Sequence, residues 1–485
     1  MENNGLKKVL GPWSVVAFGV TNEIAGGLFF LSTQIQGNVP GAGDWVPWLM
    51  VIGGALTFLT VIAYRYFFAS GLVGAGGEYV IVSRALNPAA AFLSTFLAWF
   101  GVTAGMGALA YSATKFLSNA SSSIGWTTAA DYLKTDTGIL LAGLVLIWGI
   151  YLVHVRGVKL AGVLTVAAMC FVIFVAAIIV VAGVITTPAA FEAALAAKLH
   201  LSASAVVSHA KVQTTDTGAA FWKALPLLFF GYLGLSTATQ TGGEAKDAQR
   251  SLSRGVVIAV SIVTAIYTVF AFSVYHAVPW RIVQGLTALK MTTYTTSTGL
   301  LGLVMPGWLS SLLNIFVAVI VVKTFLPYFL AQSRWLYAWG ADGVIHGAFS
   351  RTHSKYETPV LALTISAVLG SLALFECVLM HGYVFGVSVR VFSVMLVFFL
   401  MGLAMIAFPK TAPALYAANE STMARARTAQ IVTGAAIMAF SAWFGISVLF
   451  GSLDQPWYLQ PGFQVLIVGV IGAIVYFSGK RKRLA

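Results

Sequence analysis

Two polar residues stand side by side at a depth where a membrane helix rarely carries one. Asn22 and Glu23 put an amide and a carboxyl into the first apolar stretch, and Gly26 and Gly27 follow at once. Each Gly costs about 1 kcal/mol of helix propensity relative to Ala. A charge at mid-membrane costs on the order of 2.5–3.5 kcal/mol even on the lenient insertion scale. Backbone that opens at that depth is tolerated only where it is buried in protein or lines a cavity. Gly19–Phe30 therefore reads as an interrupted helix whose break faces a polar site. A carboxyl in that position can hold a proton or an ammonium.

A second ionisable group lies equally deep. Lys323 stands next to Thr324, a turn before Pro327 and Tyr328, and 11 residues ahead of Arg334. At ~1.5 Å rise per residue that is about 16 Å inside the apolar run. An intramembrane lysine is a functional-site hypothesis by default.

The elements that must position these groups are membrane helices. The chain has 485 residues, 59% hydrophobic and 9% charged, with a mean hydropathy of +0.88. Soluble domains carry roughly 25% charged residues. Windows of about 20 apolar residues mark twelve spans, at 12–36, 46–70, 88–118, 138–155, 160–186, 221–242, 255–278, 307–338, 358–380, 388–408, 427–450 and 463–478. The formal charge of +13 does not signal nucleic acid, because the bases collect in short gaps between spans and in Lys480–Arg483. With the N-terminus inside, 18 Lys and Arg fall on the cytoplasmic side and 8, Arg390 among them, on the outer side. That asymmetry predicts cytoplasmic termini in a multi-pass protein of the cell membrane. Cys170 and Cys377 lie inside apolar runs and read as buried small hydrophobes. No signal peptide or separate soluble domain is expected, and the longest gap, 188–221, has room for a short surface helix.

The sixth span carries a second interruption. Phe229 to Thr237 sets Gly231 and Gly234, then Ser236 and Thr237, among aromatic residues. Glycine-broken segments at corresponding places in two halves of a chain point to a transporter binding site.

Four stretches resemble the amino acid–polyamine–organocation superfamily of transporters. They are Gly74–Val80 with Arg84-Ala85-Leu86-Asn87-Pro88, Glu244–Arg250 with Arg254, Ser333–Tyr337 with Ala341-Asp342-Gly343, and Ile24–Phe30 itself. The resemblance implies an all-α membrane protein of two inverted five-helix repeats with broken helices 1 and 6, plus two peripheral helices. The repeats would fall in residues 1–186 and 187–410, with the peripheral pair and basic tail in 411–485. It further implies a substrate site between the breaks. Amides at Gly26, Gly27 and Leu28 would bind a carboxylate, as a helix N-terminus does. Carbonyls opened at Gly231 and Gly234 would accept an ammonium, with Phe230 as an aromatic gate. Tyr328 falls where relatives place a substrate-facing residue, and Glu244 and Arg334 belong to an inner-gate charge network.

This sequence departs from the family pattern at Leu28, where a glycine is usual, and at Ser236, where a glutamate is frequent. Leu28 limits close approach of a carboxylate, which tilts the expected substrate toward an amine-bearing ligand. Glu23 then stands as a relocated carboxylate. Spans one and eight adjoin in this fold, so Glu23 is the expected partner of Lys323. Lys323, with Thr324 beside it, would take the place of a sodium ion, and protonation within the pair would couple transport to a proton gradient.

An enzyme would need acids, histidines or nucleophiles clustered at one depth, or a phosphate-cradling loop. Fifteen acids in the whole chain and no such loop argue against it. No cofactor or metal site is implied, and the expected partners are a small molecule, a proton and the lipid bilayer. The reading is a secondary active transporter of an amino acid or organic amine working by alternating access. Sodium-independent exchange or uniport of amino acids or polyamines, and sensing without transport, remain the alternatives.

Overall fold

The computed structural model describes residues 5–25, 27–216, 218–419, 421–451, 453 and 455–484. Among them, twelve helices are long and apolar enough to cross a membrane, from Pro12–Asn38 to Pro461–Gly479. Every span expected from hydropathy is present, with ends shifted by up to several residues. Outside the spans, Pro188–Leu199 and Ala203–Ser208 form two short helices where one was expected. Cys377 is buried, but Cys170 is exposed on the outside of the bundle, so only one of the two is a core residue.

Local sequence explains where helices start and break. The third span, Pro88–Ser123, begins at Asn87, whose side chain accepts from the Ala89 and Ala90 amides while Pro88 occupies the first turn. The first span is two helices, Pro12–Glu23 and Gly27–Asn38. The sixth, Ala219–Gly243, is α-helical over Ala219–Phe229, tightens to a 3-10 turn at Phe230–Tyr232, and resumes at Ser236. A third division falls in the eighth span, between Gly307–Lys323 and Phe325–Ala341. Pro327 accounts for it: without an N–H it cannot bond the carbonyl four residues back, at Lys323, and its ring crowds that turn.

The broken first span packs against the fifth (Val158–Ile185), the seventh (Ala248–Ala277) and the eighth, and it also contacts the broken part of the sixth. The third span packs along the eighth, ninth and tenth (Val387–Thr411). These contacts bring both interruptions into the middle of the molecule. The face carrying the N-terminus is closed by backbone pairing, with the Val9 and Leu10 amides donating to the Glu244 carbonyl and Lys246 donating to Leu10. On the same face Arg84 grips Asp342 through two nitrogens, one at 2.7 Å, and the Tyr79 hydroxyl donates to the same carboxylate at 2.9 Å. Two of the motifs noted in the sequence thus tie the loop after span two to the loop after span eight.

Candidate functional site

The two breaks meet. Asn22 Nδ2 donates to the Gly234 carbonyl at 3.0 Å and to the Thr237 hydroxyl. Gly234 has no room for a side chain, because a Cβ there would lie 2.5 Å from the Glu23 amide nitrogen. The Tyr267 hydroxyl of the seventh span lies 2.6 Å from the Glu23 carbonyl and 3.1 Å from that of Gly231, so one phenol bridges both interruptions. Gly231 admits the ring, since a Cβ would come within 2.7 Å of it.

Around this junction lies a cavity of about 420 Å³, the size range of small-molecule sites. Asn22, Glu23, Gly27, Phe230, Gly231 and Gly234 line it, with Thr324 and Tyr328 across from them. A Cβ on Gly27 would meet nothing, so bare backbone faces the open space. Gly26 lies outside the described residues. Both Glu23 carboxylate oxygens and Asn22 Oδ1 are buried without a hydrogen-bond partner among the described residues. Buried polar groups are normally paired, so three such oxygens at one place set it apart, with the Leu235 backbone amide directed toward the Glu23 carboxylate outside close hydrogen-bond geometry.

Lys323 is close by but is not on the Glu23 carboxylate. Its ammonium donates to the carbonyls of Thr21 and, at 2.7 Å, of Ile24, the last residues before the break. No ion pair among the described residues joins it to Glu23. The physical reason is the break itself: helix 1 ends at Glu23 and leaves carbonyls without intrahelical donors, and these compete successfully for the ammonium. Thr324 turns its hydroxyl back to the Ile320 carbonyl at 3.1 Å.

Leu28 does not obstruct the site. Its side chain is 3% exposed and packs in the main apolar core, away from the cavity. Its amide bonds the Ala25 carbonyl at 3.3 Å, so that N–H is spent within the break. The side chain is therefore no obstacle to a carboxylate, but Leu28 does not line the cavity and its amide is not one of the free donors expected there. Glu244 and Arg334 do come together: Nε donates to Oε2 at 3.0 Å and Nη2 to Oε1, with both side chains fully buried at the closed face.

Two residues escaped the sequence reading. Tyr267 sits in an unremarkable apolar run, and only its mid-span depth could have flagged it. Arg390 was counted with the outer loops although it falls at the start of the expected span 388–408. The helix in fact begins at Val387, Arg390 is 9% exposed, and its guanidinium lies over the Tyr328 ring, 5.1 Å from the centroid. It lines the cavity.

Beyond Gln34, Ser112, Phe116 and Thr296 the cavity continues into a recess of about 830 Å³ on the face opposite the N-terminus. The buried Glu244–Arg334 pair lies toward the N-terminal face, and the cavity reaches the opposite one.

Discontinuous membrane helices meeting around a largely apolar cavity, with a few polar groups at the breaks and an opening to one face, define a membrane transporter. The chain belongs to the amino acid permease family, whose model matches residues 10–474. It is 24% identical over 155 residues to the branched-chain amino acid permease of Bacillus subtilis, covering 31% of this chain and 32% of that one. It is 26% identical over 149 residues to the aspartate-proton symporter of the same organism, covering 29% and 28%. To the vacuolar cationic amino acid transporter 4 of Arabidopsis thaliana it is 27% identical over 150 residues, covering 31% and 24%. The matched region thus spans less than a third of each relative's length.

Proposed function

We infer that the protein is a secondary active transporter of an amino acid, moving its substrate by alternating access and driven by protons. The observation that carries this reading is the junction of the two breaks around one cavity, with an orphaned carboxyl at Glu23 and open backbone at Gly27. In this scheme a substrate carboxylate meets the start of the helix Gly27–Asn38, where amides and helix dipole favour an anion. The substrate ammonium meets Glu23, Asn22 Oδ1 and the carbonyls of the sixth span. Phe230 and Tyr328 flank the ligand. Lys323 holds the carbonyls a coupling cation would otherwise hold, which supports a sodium-independent cycle. A buried unpartnered carboxylate costs several kcal/mol, and Glu23 is relieved by a proton or by the substrate ammonium in turn. The Glu244–Arg334 pair serves as the inner gate.

The relatives are named for branched-chain, acidic and cationic amino acids, and one for methylthioribose, so their names favour amino acids as a class without choosing one. The base asymmetry supports a cell-membrane protein with cytoplasmic termini. The inverted repeats belong to the same proposal, supported by breaks at the first and sixth spans. Proteoliposomes loaded and challenged with radiolabelled amino acids test it. The expected result is accumulation driven by an inward proton gradient, unchanged by sodium, and lost in Glu23→Gln. Sodium-dependent uptake, or uptake indifferent to the proton gradient, would overturn the coupling. Transport of no amino acid at all would overturn the function.

A further inference from the structure

Arg390 is a cation in the cavity for which a simple zwitterion leaves no counterpart. None of the ion pairs among the described residues includes it, and no side-chain hydrogen bond is made by its guanidinium there. Its side chain is nine-tenths buried, and it borders both the central cavity and a small void on the closed side. The carboxyl bordering that inner void, Glu78, is already engaged by Tyr64, Thr239 and Gln240. The position is built rather than incidental: Gly101 of the third span admits the tenth helix so closely that a Cβ there would lie 2.5 Å from Arg390 Cα. A buried guanidinium is costly unless it meets an anion, and its planar fork suits a carboxylate held by two parallel bonds.

The way in has the same sign. Among the described residues the outer recess is lined by Lys115 and Lys198 and by no Asp or Glu. Lys115 lies 4.2 Å from the centroid of the Tyr111 ring, and Lys198 donates to the Met305 carbonyl at 3.1 Å, so both are fixed at the wall. Like-signed charge along a low-dielectric cleft concentrates ligands of the opposite sign.

We propose that Arg390 is a specificity-determining residue and that the substrate is an acidic amino acid, its side-chain carboxylate held by the Arg390 guanidinium. This rests on the amino acid transport reading and names the substrate class of the same site. The α-carboxylate goes to the break at Gly27 and the ammonium to Glu23, which leaves the second carboxylate for Arg390. A cationic amino acid would set its side-chain charge against Arg390, and an aliphatic one would leave the guanidinium buried and unmatched.

The test is uptake by purified protein in proteoliposomes of L-aspartate, L-glutamate, L-leucine and L-lysine, with thermal-shift binding of each. L-Aspartate or L-glutamate should be preferred by tenfold or more, with rates falling as salt rises. Arg390→Gln should lose that preference, with its KM for the acidic substrate up at least tenfold, while Arg390→Lys keeps part of it. If Arg390→Gln does not fold, the wild-type ranking and Arg390→Lys still decide. Preference of the wild type for L-leucine or L-lysine overturns the proposal and leaves the transporter reading intact. Transport of none of the four but of another amino acid does the same, and transport of no amino acid removes both.

Discussion

The Lys323 ammonium lies 2.7 Å from the carbonyl oxygen of Ile24, the residue that closes the first half of the broken first span. A lysine from the kinked eighth span thus holds the end of a helix whose carbonyls have no donors of their own. The kink set by Pro327 and the break after Glu23 are complementary, since one presents a cation and the other presents oxygens.

Lys323→Met keeps most of the unbranched stem of the side chain and removes its charge. The Thr21 and Ile24 carbonyls are then left without their donor, at a cost of about 1–3 kcal/mol for each buried orphan. A lower melting temperature in detergent and at least a tenfold loss of uptake are expected. Sodium should recover part of the melting temperature in the variant and have no effect on the parent. A variant as stable as the parent would show that the carbonyls find other partners.

Two glycines of the site differ in what a methyl group would meet, and the difference separates folding from binding. Gly234→Ala forces a Cβ to within 2.5 Å of the Glu23 amide nitrogen and 2.6 Å of the Asn22 carbonyl carbon, so the breaks must part. Loss of monodisperse protein or of all ligand binding is expected. Gly27→Ala places its methyl in open space. That variant should fold as the parent does and bind ligand about tenfold more weakly, read by gel filtration and thermal shift together. Equal behaviour of the two variants would contradict the packing described.

Much of this was legible in the sequence, for reasons that differ by residue. Asn22, Glu23 and Gly27 were visible because polar atoms and glycines are expensive in a membrane helix, so each leaves a mark in composition. The Glu244–Arg334 pair came through motif resemblance alone, and the structure supplies its geometry. The partner of Lys323 was misjudged because charge was weighed against charge. Backbone carbonyls freed by a break carry no signature in residue type. Leu28 was read as an obstacle because its identity says nothing of its direction, and the helix turns it into the core. Arg390 was lost at a span boundary, where hydropathy cannot tell a helix turn from a loop.

The Glu244–Arg334 pair is fully buried, and breaking one side of such a pair costs about 3–5 kcal/mol because the other charge stays behind. If the pair closes that face, Arg334→Met should open it, raising the reactivity of a cysteine placed at Ser236, which borders the small void on that side. The double variant Arg334→Met with Glu244→Gln should lose less than the sum of the singles, since it removes the stranded charge as well. A strictly additive cycle would mean that the two groups do not act on one another.

The last prediction concerns Glu78, in the segment between the second and third spans. Burial pushes its carboxyl from 4.5 up to about 7, against the opposing effect of hydrogen bonds from Tyr64, Thr239 and Gln240. Tyr64 donates to Oε1 at 2.6 Å and Gln240 to Oε2 at 3.1 Å, so the group links the second span to the lower half of the sixth. In the unfolded chain the same carboxyl titrates near its ordinary value, so between pH 4.5 and about 7 the folded protein binds the extra proton. Stability from this site is therefore fully present below pH 4.5 and is lost as pH rises through about 7. The melting temperature should fall between pH 5 and pH 8, and Glu78→Gln, which cannot titrate, should flatten that slope while holding the acid-side value. A slope of the same size in Glu78→Gln would assign the pH dependence to another group.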